Sequence, residues 1–199
     1  MTYDIMGIFF SLITSVITFL ISWKKSKDSE RKRNTALIIV FSFIIPFALS
    51  TALILMNEKY GIFFSIIALW LISASVEDIY HFEADDMFSI VIILSTFIIC
   101  PGVNILLRAV PAFLSFVILS AVAIKCKGRL GGGDIKIISS LAFALPPTTL
   151  VPGLVIGLSA GIIINLIKKN KERFPLIPYI SSGILPTLVA EIIIREVTG

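Results

Sequence analysis

Residues 137–167, IISSLAFALPPTTLVPGLVIGLSAGIIINLI, form a run of 31 without a single Asp, Glu, Lys or Arg. The run is too long for one ordinary membrane span of about 20 residues and short for two. Proline removes a backbone donor and clashes inside a helix, so Pro146-Pro147 is expected to break it in two. Six further runs lack charge: 5–23, 34–57, 60–76, 87–107, 109–124 and 174–190. Loop charge favours the break. With eight helices, the loops at 23–33, 77–86, 125–136 and 168–173 share one side. They hold Lys24, Lys25, Lys27, Arg31, Lys32, Arg33, Lys125, Lys127, Arg129, Lys136, Lys168, Lys169, Lys171 and Arg173, which is 14 of the 17 Lys and Arg. Only Lys59, Arg108 and Arg195 remain opposite. A single helix over 137–167 would put the 168–173 cluster outside, against the preference of basic loops for the cytoplasm. The expected fold is an all-α polytopic transmembrane bundle of about eight helices, with both termini outside.

Composition agrees. Hydrophobic residues make up 57% of the 199-residue chain and charged residues 15%, against about 45–50% and 25% in soluble domains. Mean hydropathy is +1.00. Eight helices of about 20 residues use about 160 and leave about 40 for loops and tails, which excludes a large extramembrane lobe. The net charge of +4 and pI near 9.1 then read as cytoplasmic loop charge, not as a nucleic-acid surface. The first run is expected as a retained helix and not a cleaved signal peptide, because Met1-Thr2-Tyr3-Asp4 carries no Lys or Arg. Cys100 and Cys126 fall on opposite sides, about 30 Å apart across the hydrocarbon, too far to bridge. Neither lies in a metal-binding spacing, and no metal or cofactor is expected.

Thirteen acidic residues are a costly population in such a chain. Six lie in two short cytoplasmic segments: Glu77, Asp78, Glu83, Asp85, Asp86 and, beyond them, Asp134. Asp78 and Asp134 stand apart because each sits where a loop meets an uncharged helix. Half-desolvation and a neighbouring like charge both raise a carboxylate pKa, as a general acid near neutral pH requires. Before the second of them, Gly128-Arg129-Leu130-Gly131-Gly132-Gly133-Asp134 places four glycines in six residues. Glycine allows close backbone approach, so a docking loop and a plain glycine turn both fit. A phosphate cradle fits less well, since Asp134 would repel the anion.

Gly131-Gly132-Gly133-Asp134 followed by Ile135-Lys136 resembles the GxGD signature of the type IV prepilin peptidases. Asp78, in Ser73-Ala74-Ser75-Val76-Glu77-Asp78-Ile79-Tyr80, matches the place of that family's first aspartate. Ile177-Pro178-Tyr179 resembles its Ile-Pro-aromatic segment at the last helix. The resemblance covers residues 61–194. It divides the chain into 1–60, two added N-terminal helices with a short basic loop, and 61–199, a six-helix core. It implies a membrane-embedded aspartic endopeptidase with Asp78 and Asp134 as the catalytic pair. The implied partner is a prepilin-like membrane protein whose short basic leader is removed at the cytoplasmic face of the cell membrane. Gly131 and Gly133 would then line the substrate's path, and Glu83, Asp85 and Asp86 would attract the leader.

Two departures from the family pattern stand out. Ala84, Asp85 and Asp86 stand at the places of the bacterial Ile-Pro-Asp/Asn, where only Asp86 fits, and Glu83-Ala84-Asp85-Asp86 resembles the acidic version of archaeal preflagellin peptidases. The loop at 23–33 has neither the cysteines nor the length associated with zinc and N-methylation in the larger bacterial enzymes, so no methyltransferase activity is expected. Three rivals remain. A presenilin-type GxGD protease shares the motif but not its Tyr-Asp and Pro-Ala-Leu companions. A small ion-coupled carrier also uses intramembrane acids, although here the acids cluster at one face. A metal site built on His81 with Asp78 or Asp85 rests on a single histidine.

Overall fold

A computed structural model describes residues 12–13, 15–17, 19–20, 23–24, 44–56, 58–82, 84–99, 104–125, 130–168 and 175–198. The basic segment 25–33, Glu83, Cys100, Cys126, Gly128, Arg129 and the loop 169–173 lie outside the described residues. Among the described residues the fold is all-α, with no strand. The helical residues between 12 and 24 precede α1 (Ile45–Met56), α2 (Glu58–His81), α3 (Asp86–Ile99), α4 (Ile105–Lys125), α5 (Gly132–Ala144), α6 (Pro147–Lys168) and α7 (Ile177–Thr198). Many of these segments are rich in Ile, Val and Phe, which are mediocre helix formers in water. In an apolar surrounding the backbone must bond to itself, and the helix does this within one segment.

The break at the double proline falls where the sequence expects it. α5 ends at Ala144, and Pro146 precedes α6, its carbonyl accepting the N–H groups of Thr149 and Leu150 at 3.0 Å each. Pro147 takes the first helical position, where a missing N–H costs nothing. Among the described residues, four segments are long and apolar enough to cross a membrane: Gly61–His81, Ile105–Lys125, Pro147–Ile167 and Ile177–Thr198. α5 is where the run that is short for two spans falls short. Its 13 residues reach about 20 Å at 1.5 Å per residue, short of the ~30 Å hydrocarbon, because the glycine loop and the proline break cut it at both ends.

α2 is the axis of the core. Phe63, Phe64, Ile67, Ala68, Leu71 and Ala74 are all buried, and α1, α3 and α7 pack around it. α5 packs on α3 and α4, and α6 packs on α7. Serine and threonine hydroxyls in this apolar setting bond to carbonyls three or four residues back, as Ser73 does to Leu69 at 3.0 Å and Thr96 to Ile92 at 3.0 Å. Ser65 instead bonds across to the Ser50 carbonyl of α1 at 3.1 Å.

The bundle has two chemically distinct ends. At one end meet the C-terminus of α2 and the N-termini of α3, α5 and α7, where the acids lie. At the other, the half-buried Arg108 of α4 donates to the carbonyls of Phe143 and Ala144. A cation there satisfies the orphan acceptors of α5's last turn. Also at that end Glu191 accepts from Thr149 Oγ1 at 3.0 Å and from Arg195 Nε at 2.8 Å.

The tightest helix pair is α6 with α7. Gly153, Gly157 and Gly161 recur every four residues along α6, the small-residue spacing that lets membrane helices approach closely. A Cβ at Gly183 would overlap the backbone of Gly153 and Gly157, and one at Gly157 would overlap the Tyr179 carbonyl. Gly157→Leu should therefore destabilise the detergent-solubilised protein by more than the ~1–3 kcal/mol of ordinary overpacking, seen as a lowered thermal midpoint. Gly132→Ala, where an added Cβ meets nothing within 4 Å, should leave the midpoint unchanged.

Candidate active site

Asp78 lies in the last turn of α2, only 5% exposed. Its Oδ2 accepts the backbone N–H of Ile177 at 2.9 Å, across 99 residues of sequence. Ile177 is the first residue of α7, whose opening N–H groups have no partner within the helix. The carboxylate answers one of them and also sits where the helix dipole favours an anion. About one turn deeper, Ser75 Oγ and Ser181 Oγ lie 2.6 Å apart, one hydroxyl donating to the other, which is left free to donate to a carbonyl of its own helix. α2 and α7 are thus pinned at two successive levels, and the Ile-Pro of 177–178 acquires a role: it presents the donor that aims Asp78.

Beyond Asp78 the chain must turn sharply. Phe82 does so with φ of 57°, its N–H bonded to the Asp78 carbonyl at 2.9 Å. That left-handed conformation costs a non-glycine residue roughly 1–2 kcal/mol. The turn delivers Ala84, Asp85 and Asp86 to the start of α3. Asp85 caps that helix, its Oδ1 accepting the Met87 N–H at 3.2 Å and its carbonyl the Phe88 N–H at 3.2 Å.

Asp134 is the third residue of α5 and half-buried. Its Oδ2 reaches back to the N–H of Gly131, the N-cap, at 3.2 Å. Burial raises its pKa from 3.8 to about 6, and the Gly131 N–H opposes the rise. The three glycines are not equivalent. Gly131 is extended, at φ −70° and ψ 147°, a conformation open to any residue. A Cβ on Gly133 would come within 3.0 Å of the Ala84 oxygen and 3.2 Å of its nitrogen. Gly133 is therefore the one whose missing side chain lets the glycine loop lie against loop 82–86 of the same chain.

That contact sets the start of α5 against the chain that leaves α2, so the two expected aspartates lie at the same end of the bundle. The remaining expected residues divide. Gly131 stays exposed at the mouth of α5, whereas Gly133 packs inward on Ala84. Asp85 is a helix cap, and Asp86 is held by Lys136, whose Nζ donates to its two oxygens at 2.6 and 2.7 Å. Glu83 is outside the described residues. His81 is exposed, and among the described residues no three His, Cys, Asp or Glu gather as metal ligands. Sequence reasoning missed Lys136, Ser75, Ser181 and the Ile177 N–H as parts of the site. Lys136 stands beside the glycine motif, but its partner is 50 residues away.

A family model of the type IV leader peptidases matches residues 65–166, just over half of the chain. The chain belongs to the type IV leader peptidase family. It is a membrane protein and a peptidase of leader-peptidase type, and the carrier reading falls away. The matched stretch contains Asp78, Ala84, Asp86, Asp134 and Lys136, and ends before Ile177. No curated protein and no solved structure matches the chain.

The raised pKa of Asp134 has a stability consequence. The folded chain holds this proton more tightly than the unfolded one, so stability falls as pH rises from 3.8 to about 6 and stays reduced above. Asp134→Asn removes that loss while keeping an oxygen for the Gly131 N–H. Thermal denaturation should show the variant more stable than the parent at pH 7.5, with the difference vanishing toward pH 4.

Proposed function

We infer that this leader peptidase is an aspartic endopeptidase in which Asp78 and Asp134 activate water together. The observation that carries the reading is a buried Asp78 and a half-buried Asp134 at the ends of separate helices that meet at one end of an apolar bundle. The ionised member takes a proton from water, whose oxygen attacks the scissile carbonyl carbon. The protonated member donates to the carbonyl oxygen. The tetrahedral intermediate then collapses, the C–N bond breaks and a proton passes to the leaving amine. The two titrate as a unit, and the shared proton belongs to the pair. No metal and no covalent intermediate enters these steps.

The substrate is a prepilin-like protein, with a basic leader ahead of an apolar helix that remains in the bilayer. The concentration of Lys and Arg in the loops that flank this end of the bundle supports a cytoplasmic position for it, and so termini on the outer side. Residues 61–199 form the catalytic core, and 1–60 are an addition. The short loop at 23–33, without cysteine, supports a peptidase that does not methylate its product.

Asp78→Asn and Asp134→Asn should each abolish cleavage of a basic-leader substrate in reconstituted vesicles while the protein still inserts and folds. Substantial cleavage by either variant sinks the aspartic mechanism. Mass spectrometry of the new N-terminus should show no added methyl group, and EDTA should leave the rate unchanged.

The bond that aims Asp78 can be removed separately. Ile177→Pro deletes the N–H at a helix position that tolerates proline, and should lower kcat by about 10–100-fold, the range a small misplacement of a reacting group produces. Ile177→Val keeps the donor and should keep most of the rate. Equal losses in the two variants would assign the effect to the buried side chain instead.

A further inference from the structure

α2 and α5, which carry the two aspartates, do not pack extensively on each other; both pack on α3. The distance between Asp78 and Asp134 is therefore set by what ties the first turns of α5 to the loop that leaves α2. Two ties are present at that junction. One is the close approach of Gly133 to the Ala84 backbone. The other is the Lys136 ammonium, donating to the two oxygens of Asp86.

We propose that Lys136 and Asp86 form a clasp that holds the Asp78 loop in register with the Asp134 helix, making both positioning residues of the peptidase reaction. The proposal rests on the aspartic reading above. Lys136 follows Asp134 by two residues, and side chains two apart on a helix do not face each other. Lys136 therefore acts on the loop and not on the scissile bond. The pair is exposed, with 45% of the lysine side chain and 61% of the aspartate open to solvent. Exposed pairs add little to global stability. Active-site geometry is far more demanding, since an error of about 1 Å can cost about 100-fold in rate. The clasp thus has a signature that a merely structural pair lacks: loss of kcat with the melting temperature unchanged. It also takes up the Asp86 charge that the acidic-loop pattern assigned to the leader.

The test is a double-mutant cycle on the full-length enzyme in vesicles, with a basic-leader substrate. Asp86→Asn and Lys136→Gln should each lower kcat about tenfold with KM and the thermal midpoint nearly unchanged. The double variant should be no worse than either single one, because both remove the same contact. Lys136→Arg, which can still pair with Asp86, should recover most of the rate. Additive losses, or full kcat in both single variants, overturn the clasp. So does an increase in KM on Asp86→Asn with kcat intact, which would assign Asp86 to the leader. A fall in thermal midpoint that tracks the loss of rate also overturns it, as the pair would then be structural. Asp78→Asn, run alongside, separates the two levels. If it is dead while the clasp variants are fully active, only the clasp fails. If it cleaves, the aspartic reading fails and the clasp with it.

Discussion

The bond between the Ile177 N–H and the Asp78 carboxylate joins two requirements that an apolar bundle cannot leave unmet. A helix that starts inside packed surroundings has donors with no partner, and a sequestered carboxylate needs donors of its own. Each answers the other here, and the pairing seats α7 on α2 at one level. The hydroxyls of Ser75 and Ser181 repeat the arrangement deeper in. The glycine seam between α7 and α6 extends it outward. Other helix ends are closed in the same manner: Asp85 on α3, Asp134 on its own α5, and Arg108 on the far end of α5.

Acids that look in the sequence like a chemical cluster are therefore also the caps of the helices around them. The two roles are compatible. A capped carboxylate is held in one orientation, and a fixed orientation is what acid–base work asks of a group. The strained turn at Phe82 belongs to the same design: it brings the chain from Asp78 to Ala84 in few residues, so that Gly133 has a backbone to lie against.

Much of this was legible in the sequence, and the boundary between legible and hidden is physical. Pro146-Pro147 marks a helix break because proline acts locally. Asp78 and Asp134 stand out because ionised groups are scarce beside uncharged runs. The glycine motif signals close approach without naming the partner, which proves to be Ala84 of the same chain. What stayed hidden was pairing over distance. Asp86 reads as an unclaimed charge until the fold places Lys136 beside it, and Ile177-Pro178 reads as a motif without a task until its N–H is seen to meet Asp78. The shortness of α5 was in view, because 31 uncharged residues broken at Pro146-Pro147 cannot supply two full spans.

α4 has no buried residue, and α5 is its only substantial neighbour among the described helices. At about 32 Å for 21 residues, it nearly matches the hydrocarbon thickness, and most of its surface faces the surroundings of the bundle. The tilt of such a helix is set by its neighbours and by side chains at its ends, not by its length. Arg108 ties α4 to the last carbonyls of α5, and α5 carries Asp134 at its other end. The short α5 is thus the element that joins the least buried helix of the bundle to its glycine-loop end.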